Sequence, residues 1–302
     1  MNFPIEDEIL IDNEKQIYLD CCYMNIGIVG NVSAGKTTLI NTLFGSKLSE
    51  MSIQRNTTSI QIYKEIPKIK LRNKIIKEHN IKMNKQGIGK KNVKIAQYYV
   101  PSIKDVKKKQ ISLLKIWDFP GMNDSDFNFK YDKNISELKD INKNKEKRFE
   151  TCLEKNVNKL DLLFYIIDIN LVDRPEEFNT IKYILNLIKK QNLFLVVIVN
   201  KVDNLTYNSD SKKPEFNDIN INLQYKKLKT IIHSESEKLN IKKNILYIIP
   251  TSLLNAYIYR LLKLNKNAIE DFDDNHINEF GANEFGKKKW RKLNNDEKKK
   301  RL

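Results

Sequence analysis

The stretch "IGIVGNVSAGKTTLINTLFG", residues 26–45, decides the fold of this chain. An apolar run predicts a buried strand, a loop with two glycines follows it, and a helix pattern ends at Gly45. The loop has the form G-x-x-x-x-G-K-[ST], in which backbone N–H groups and a helix N-terminus surround a phosphate group. Strand, loop and helix come in the required order, so the sequence predicts a site for the terminal phosphates of a nucleoside triphosphate.

The loop pattern assigns roles to individual residues. We expect Lys36 to reach the β- and γ-phosphates and the hydroxyl of Thr37 to bind Mg²⁺. The residues expected to contact the nucleotide phosphates are Gly30, Asn31, Val32, Ser33, Ala34, Gly35, Lys36, Thr37 and Thr38. A glycine turn before an ordinary helix is the alternative for this loop taken by itself.

Positive charge is concentrated in two segments of the 302-residue chain. The chain carries a formal charge of +16, with a net +12 in residues 64–110 and a net +6 in residues 281–302. Such segments favour an anionic partner, either RNA or an anionic membrane surface, while no pattern of DNA sequence recognition is evident. A lysine-rich composition of the whole chain is the alternative explanation.

Cysteine usage and hydropathy bear on the compartment. Cys21, Cys22 and Cys152 lack the spacing of metal ligands or of a disulfide framework, which favours a reducing environment. The sequence contains no apolar run of about 18 residues and no charged leader before an apolar stretch. We therefore expect a cytoplasmic protein, with peripheral attachment to a membrane as an open alternative.

Apolar strands alternate with amphipathic helices along most of the chain. Residues 160–170, "LDLLFYIIDIN", and residues 193–203, "LFLVVIVNKVD", are apolar almost throughout, as strands buried on both faces are. The pattern predicts an α/β fold with a mostly parallel sheet and helices on both faces.

The same pattern suggests three parts. Residues 64–110 are expected to form a basic insertion between the second and third strands, as a hairpin or helical excursion with a mobile tip. The expected boundaries are an N-terminal helical extension at 1–23, a nucleotide-binding domain at 24–265 and a basic C-terminal tail at 266–302.

Polar residues follow the strands at the edge where ligands of such sheets bind. After "LLKIW" we expect Asp118 to hold Mg²⁺ through a water and the Gly121 N–H to meet the γ-phosphate. After "LFLVVIV", Asp203 can accept two hydrogen bonds from the N1–H and N2 amino groups of guanine, a pattern that adenine cannot supply. Asn200, beside Lys201, is expected to read the O6 side and to brace the loops.

A last strand, "NILYIIP", precedes Thr251 and Ser252, which suit a backbone contact to the guanine O6. The predicted ligands are therefore GTP or GDP with Mg²⁺. Thr57 and Thr58 lie before the strand "SIQIYKEI", and one of them, with Thr58 preferred, is expected to bind Mg²⁺ when GTP is present. A loop that orders around the γ-phosphate and relaxes after hydrolysis makes a two-state switch.

Four segments together resemble a known family: "GNVSAGKTTLINTLFG", "RNTTSIQI", "WDFPGMND" and "VNKVD". They are similar to the GTPase domain of the dynamin superfamily, including its bacterial members, over residues 24–265. The resemblance implies a P-loop GTPase fold, Mg²⁺-dependent hydrolysis of GTP to GDP and phosphate, a homodimer of GTPase domains that stimulates hydrolysis, and often membrane remodelling. It also implies that the catalytic residues are Ser33, Lys36, Thr58 and Gly121.

The chain departs from this family at two positions. Val32 occupies the place where many dynamins have a glutamine, and Met122 follows Gly121, where small GTPases have a glutamine that orients the attacking water. Basal hydrolysis should therefore be slow unless a partner supplies a group in trans, and Arg55 is a candidate for compensating charge. An Era-like RNA-associated GTPase and a GTP-binding scaffold with negligible hydrolysis stay open as alternatives.

Overall fold

A computed structural model describes most of the nucleotide-binding region. The described residues are 20–45, 48, 60–66, 95–101, 110–122, 149–202, 205–208, 213–216, 218–264, 277–278, 280–282, 287–294 and 297–298. Thr57, Thr58 and Asp203 lie outside them, as do residues 1–19 and most of the basic insertion.

The described strands and helices follow the expected alternation. The strands are β1 (Asp20–Gly30), β2 (Ile60–Ile66), β3 (Ile95–Pro101), β4 (Gln110–Asp118), β5 (Leu162–Asp168), β6 (Phe194–Asn200), β7 (Leu205–Asn208), β8 (Lys213–Phe216) and β9 (Leu246–Pro250). The helices are α1 (Lys36–Phe44), α2 (Pro175–Gln191), α3 (Ile219–Lys238), α4 (Leu253–Leu264) and α5 (Lys287–Trp290).

Seven of the strands form one sheet in the order β3-β2-β4-β1-β5-β6-β9. β1 pairs with β4, β2 with β3 and β6 with β9 in parallel, whereas β2 and β4 are antiparallel. β7 and β8 form a separate antiparallel ribbon. The predicted α/β class and mostly parallel sheet are therefore confirmed.

The basic insertion differs from its prediction in the part that the structure describes. Residues 95–101 form β3, which pairs in parallel with β2 in the register Ile60↔Ile95 to Ile66↔Pro101. β3 is therefore not the second arm of a hairpin with β2, and the centre of the predicted hairpin or helical excursion lies outside the described residues. The strand was missed because the lysines around it hid the short apolar run "IAQYYV".

The chain divides into two compact units, and the first comprises Met1–Ile28 and Thr57–Leu162. β1 begins at Asp20, so residues 20–23 are in a strand and not in the helix expected there. Ile28 of β1 and Leu113 and Ile116 of β4 are fully buried. The backbone N–H of Leu114 on β4 donates to the buried carboxylate of Glu65 on β2 at 2.8 Å, which adds a side-chain contact between these two strands.

The second unit comprises Val29–Asn56 and Leu163–Leu302, and α2 and α3 are its longest helices among the described residues. α2 starts with Pro175, has acidic residues in its first turn and lysines in its last, and ends at Asn192 in the left-handed conformation. These are the start and stop signals that the helix dipole and the caps favour. Ile184 of α2 and Leu228 of α3 are fully buried. No described helix combines the length and apolar character needed to cross a bilayer.

The C-terminal tail is packed rather than fully solvated where the structure describes it. Trp290 is 1% exposed and clusters with Ile277, against Leu262 of α4. Its indole N–H donates to the Asn278 side chain at 3.3 Å. The neighbouring side chains of Lys288, Lys289, Arg291 and Lys292 are exposed. The tryptophan is therefore an internal anchor, and the basic side chains form the outer face.

Gly281 lies so close to the Trp290 ring that an added Cβ would overlap it. We expect Gly281→Ala to expel the indole, lower the free energy of unfolding by about 1–3 kcal/mol and shift tryptophan fluorescence to longer wavelength. Trp117, the other tryptophan, is buried in the first unit and should not respond. Lys288→Ala, at an exposed position of the same segment, is the control, and an unshifted spectrum for Gly281→Ala would contradict the packing.

Candidate nucleotide-binding site

The loop between β1 and α1 has the backbone of a cradle. Ser33 has φ 62° and Gly35 has φ 110°, so the chain turns sharply before the helix. A Cβ on Gly30 would lie 2.6 Å from the Ile166 carbonyl oxygen, and one on Gly35 would overlap the Asn200 amide. No side chain among the described residues caps α1, which leaves its first turn suited to an anion.

Lys36 places a cation inside this cradle. Its side chain is 8% exposed, and its Nζ donates to the carbonyl oxygens of Gly30 and Asn31, each at 3.0 Å. A buried ammonium is costly unless it is solvated by such groups or faces an anion. The cradle, the uncapped helix and the held ammonium fit a nucleotide's phosphates.

The side chain of Asn31 joins the loop to α2. Its Nδ2 donates at 2.5 Å to the carboxylate of Glu177, which also accepts a hydrogen bond from the Tyr165 hydroxyl. Burial raises the pKa of the Glu177 carboxyl, while the hydrogen bonds from Tyr165 and Asn31 oppose the shift and nearby Asp168 adds to it. Burial, followed by the charge of Glu177 and the hydrogen bond to it, raises the pKa of Tyr165 well above its ordinary value.

Sequence reasoning missed Glu177 and Tyr165. The available signal was an acidic residue on the apolar stripe of α2, since Glu177 precedes the buried Ile181 and Ile184 at helical spacing. Charged residues at such positions are nearly always paired.

Asn200 holds three segments at one point. Its side chain is 5% exposed, its Nδ2 donates to the Ala34 carbonyl at 2.8 Å, and its Oδ1 accepts from the Leu253 N–H at 3.0 Å. The end of β6 is thereby joined to the phosphate loop and to the start of α4. Both polar atoms of the Asn200 amide are used within the protein. Of the two roles expected for Asn200, this geometry supports the one in which it braces the loops.

The Thr251–Ser252 loop lies against the Asn200–Lys201 loop. The Thr251 N–H donates to the Val199 carbonyl at 2.8 Å, and the Val202 N–H donates to the Thr251 carbonyl at 3.3 Å. The Ser252 hydroxyl accepts from the Asn255 N–H at the start of α4. These contacts fix the two loops expected to surround the base, up to Val202.

Lys201 makes an ion pair that the sequence did not predict. Its Nζ lies 2.6 Å from Oδ2 of Asp168, whose other oxygen accepts from the Asn170 N–H at 3.0 Å. Lys201 itself is in the left-handed conformation, with φ 65°. Asp168 is the last residue of a buried strand, the kind of position at which the predicted site residues also lie. This position was the sequence feature that could have identified Asp168.

Asp118 and Gly121 belong to the first unit and form a buried turn there. Asp118 is 1% exposed at the end of β4, and the next N–H, that of Phe119, donates to the Ile28 carbonyl at 3.1 Å. Phe119 is fully buried and Met122 is 5% exposed. This hydrogen bond holds the turn against β1 at Ile28, which lies two residues before the first residue of the phosphate loop, Gly30.

Asn200→Ala removes the partner of the Ala34 carbonyl and of the Leu253 N–H. We expect the free energy of unfolding to fall by about 1–3 kcal/mol, because two buried polar groups lose a hydrogen bond. Nucleotide affinity should fall as well. Asn186→Ala is the matched control, since Asn186 is exposed and its amide donates to the Lys182 carbonyl within α2. Denaturant titration measures both variants, and equal stabilities would contradict the brace.

Comparisons with known proteins place this site in a family. The model of the 50S ribosome-binding GTPase family matches residues 25–201. An uncharacterised protein of Acanthamoeba polyphaga mimivirus is 24% identical over an alignment of 263 residues. The alignment covers 82% of this chain and 41% of that relative.

Two solved structures are similar to the chain. A dimerization-deficient mutant of Toc33 from Arabidopsis thaliana has a TM-score of 0.43 at 9% identity, over 76% of this chain and 71% of that one. A bacterial dynamin from an oligomerised pair has a TM-score of 0.39 at 16% identity, over 89% of this chain and 39% of that one. Both similarities are weak, whereas the family model covers more than half of the chain and includes the phosphate loop. The chain belongs to the 50S ribosome-binding GTPase family.

Proposed function

We propose that this GTP-binding protein hydrolyses GTP to GDP and phosphate and acts as a nucleotide-dependent switch. The observation that carries the proposal is the buried Lys36 ammonium, held by two loop carbonyls inside a glycine cradle. A cation fixed beside the phosphates stabilises the charge that develops on them in the transition state without having to reorganise.

Each loop residue then has a role. Lys36 neutralises charge on the β- and γ-phosphates, the Gly121 N–H contacts the γ-phosphate, and Ser33 helps to place the attacking water. Thr37, Thr58 and Asp118 are the residues that would hold Mg²⁺, which when bound neutralises phosphate charge and orients the phosphate oxygens. Asp203 and the Thr251–Ser252 loop select guanine.

A second copy of the chain is proposed to complete the catalytic site. Val32 and Met122 stand where related GTPases carry water-orienting glutamines, and the Met122 side chain is apolar and 5% exposed. A buried thioether cannot position a water, so turnover by one chain should be slow. The dynamin resemblance supports a homodimer of GTPase domains that stimulates hydrolysis. The same two residues favour the rival function, a GTP-binding scaffold with negligible hydrolysis.

The basic segments 64–110 and 281–302 are proposed to contact an anionic partner. Lys288, Lys289, Arg291 and Lys292 are exposed around the buried Trp290. This arrangement supports electrostatic contact with a surface rather than insertion of an aromatic side chain. An anionic membrane fits the dynamin resemblance, and RNA fits the Era-like alternative. A cytoplasmic location, with or without membrane attachment, is part of the same proposal.

Lys36→Ala tests the catalytic role. We expect GTP turnover per molecule to rise with protein concentration in the wild-type chain and to fall on the order of a hundredfold or more in the variant, because transition-state charge loses its cation. Phosphate release measured across a range of protein concentrations is the assay. Lys189→Ala, an exposed lysine in the last turn of α2, is the control. Tight GTP binding without turnover at any concentration would support the scaffold instead.

Asp203→Asn tests guanine recognition. The carboxylate accepts from the guanine N1–H and N2 amino groups, whereas an amide can donate to the O2 of xanthine. We expect the variant to lose GTP affinity and to gain affinity for xanthosine triphosphate, measured by competition against a fluorescent nucleotide. ATP should gain nothing, and an unchanged GTP affinity would remove Asp203 from the site.

A further inference from the structure

Glu177 is a buried carboxylate that the expected nucleotide contacts do not use. It lies in the first turn of α2, is 2% exposed, and shares the apolar stripe with Ile181 and Ile184. A carboxylate at such a place costs folding free energy unless hydrogen bonds compensate it. Its partners therefore indicate what it does.

Two donors fit the two oxygens of this carboxylate. The Tyr165 hydroxyl donates to Oε1, and the Asn31 amide donates to Oε2 at 2.5 Å. Tyr165 is fully buried on β5, so it gives the carboxylate a rigid support. The other donor belongs to the phosphate loop, which links α2 to the loop's second residue.

Asn31 links the Glu177 contact to the Lys36 ammonium. Its backbone carbonyl accepts from the Lys36 Nζ at 3.0 Å and from the Ala34 N–H at 3.2 Å. One acceptor of the ammonium is therefore the carbonyl of the residue that Glu177 holds. A displacement of Asn31 displaces the Lys36 ammonium and the turn that follows it.

We propose that Glu177 is a positioning residue for the phosphate loop: through Asn31 it sets where the Lys36 ammonium meets the phosphates of the nucleotide. Glu177 acts through another residue and contacts no phosphate itself. The inference rests on the phosphate loop's part in the proposed function, but it does not depend on hydrolysis. Because the base loops are joined to the phosphate loop by Asn200 at Ala34, and not at Asn31, the choice of guanine should not change with Glu177.

A double-mutant cycle on binding of GMPPNP, a GTP analogue that is not hydrolysed, tests the proposal. Wild type, Glu177→Gln, Asn31→Ala and the double variant are titrated with fluorescent GMPPNP at fixed Mg²⁺. We expect each single variant to bind about tenfold more weakly, the size expected when a charged hydrogen bond is lost. The double variant should bind no more weakly than Asn31→Ala alone, because both changes break one linkage. Preference for guanine over adenine should be the same in all four.

Glu176→Gln is the matched control, since it makes the same chemical change one residue earlier, at an exposed position of the same helical turn. It should bind GMPPNP as the wild type does. Should Glu177→Gln fail to fold, Asn31→Ala carries the test, because it removes the same contact from a partly exposed loop residue.

Two kinds of result would overturn the positioning role. Unchanged affinity in either single variant shows that the contact does not position the loop. Losses that add in the double variant show that the residues act independently. A wild-type chain that binds no GMPPNP would instead refute nucleotide binding by this loop, so the two failures are distinguishable.

Discussion

The amide of Asn200 is the contact on which the arrangement of the nucleotide loops depends. It is buried, and it joins the phosphate loop at Ala34 to the start of α4 at Leu253. Gly35 is glycine because any larger residue would collide with this amide. One side chain therefore joins the phosphate loop to the loop before α4, and the glycine of the loop motif is explained by its neighbour Asn200 as well as by its expected phosphate ligand.

A second set of contacts holds the other side of the phosphate loop. Glu177 and Tyr165 fix Asn31, just as Asn200 fixes Ala34. The loop is thus restrained at two points, three residues apart, by polar groups that are themselves buried. Such restraint suits a site that acts by preorganised charge, because backbone groups that are already placed need not reorganise when the phosphates arrive.

The local parts of the site could be predicted from the sequence. The loop 30–37, the turn after Asp118 and the Asn200 loop each follow an apolar strand in the sequence, and the structure ends a strand at each of these points. Glu177 could not be assigned in this way, because its partner Asn31 is 146 residues away and the sequence shows only an acid on an apolar stripe. β3 was missed for another reason. The prediction relied on the net charge of the segment, and net charge does not indicate whether the backbone pairs with a neighbouring strand. Trp290 lies in the segment 281–302, which the sequence analysis described by its charge alone, although a single large apolar residue in a charged run is itself a signal of packing.

The residues expected to bind the nucleotide differ from those expected to act on water. The phosphate-loop glycines, Lys36 and Asn200 are present and in contact, whereas the sequence has Val32 and Met122 at the two positions where related GTPases have a glutamine. Met122 is 5% exposed, so its apolar side chain is part of the packing at that point. Under the proposed function, this chain sets the affinity for the nucleotide, and turnover depends on a group from a second molecule.

α4 has a consequence for how a partner on the tail would be oriented. One end of this helix, Leu253, is held by Asn200, and near its other end Leu262 packs against the cluster around Trp290. Twelve residues of helix span about 18 Å, and a helix does not stretch. The helix therefore keeps the loops that Asn200 joins and the cluster around Trp290 at a constant separation. An anionic partner bound to the basic side chains around Trp290, as proposed, would lie at a fixed distance from the phosphate loop.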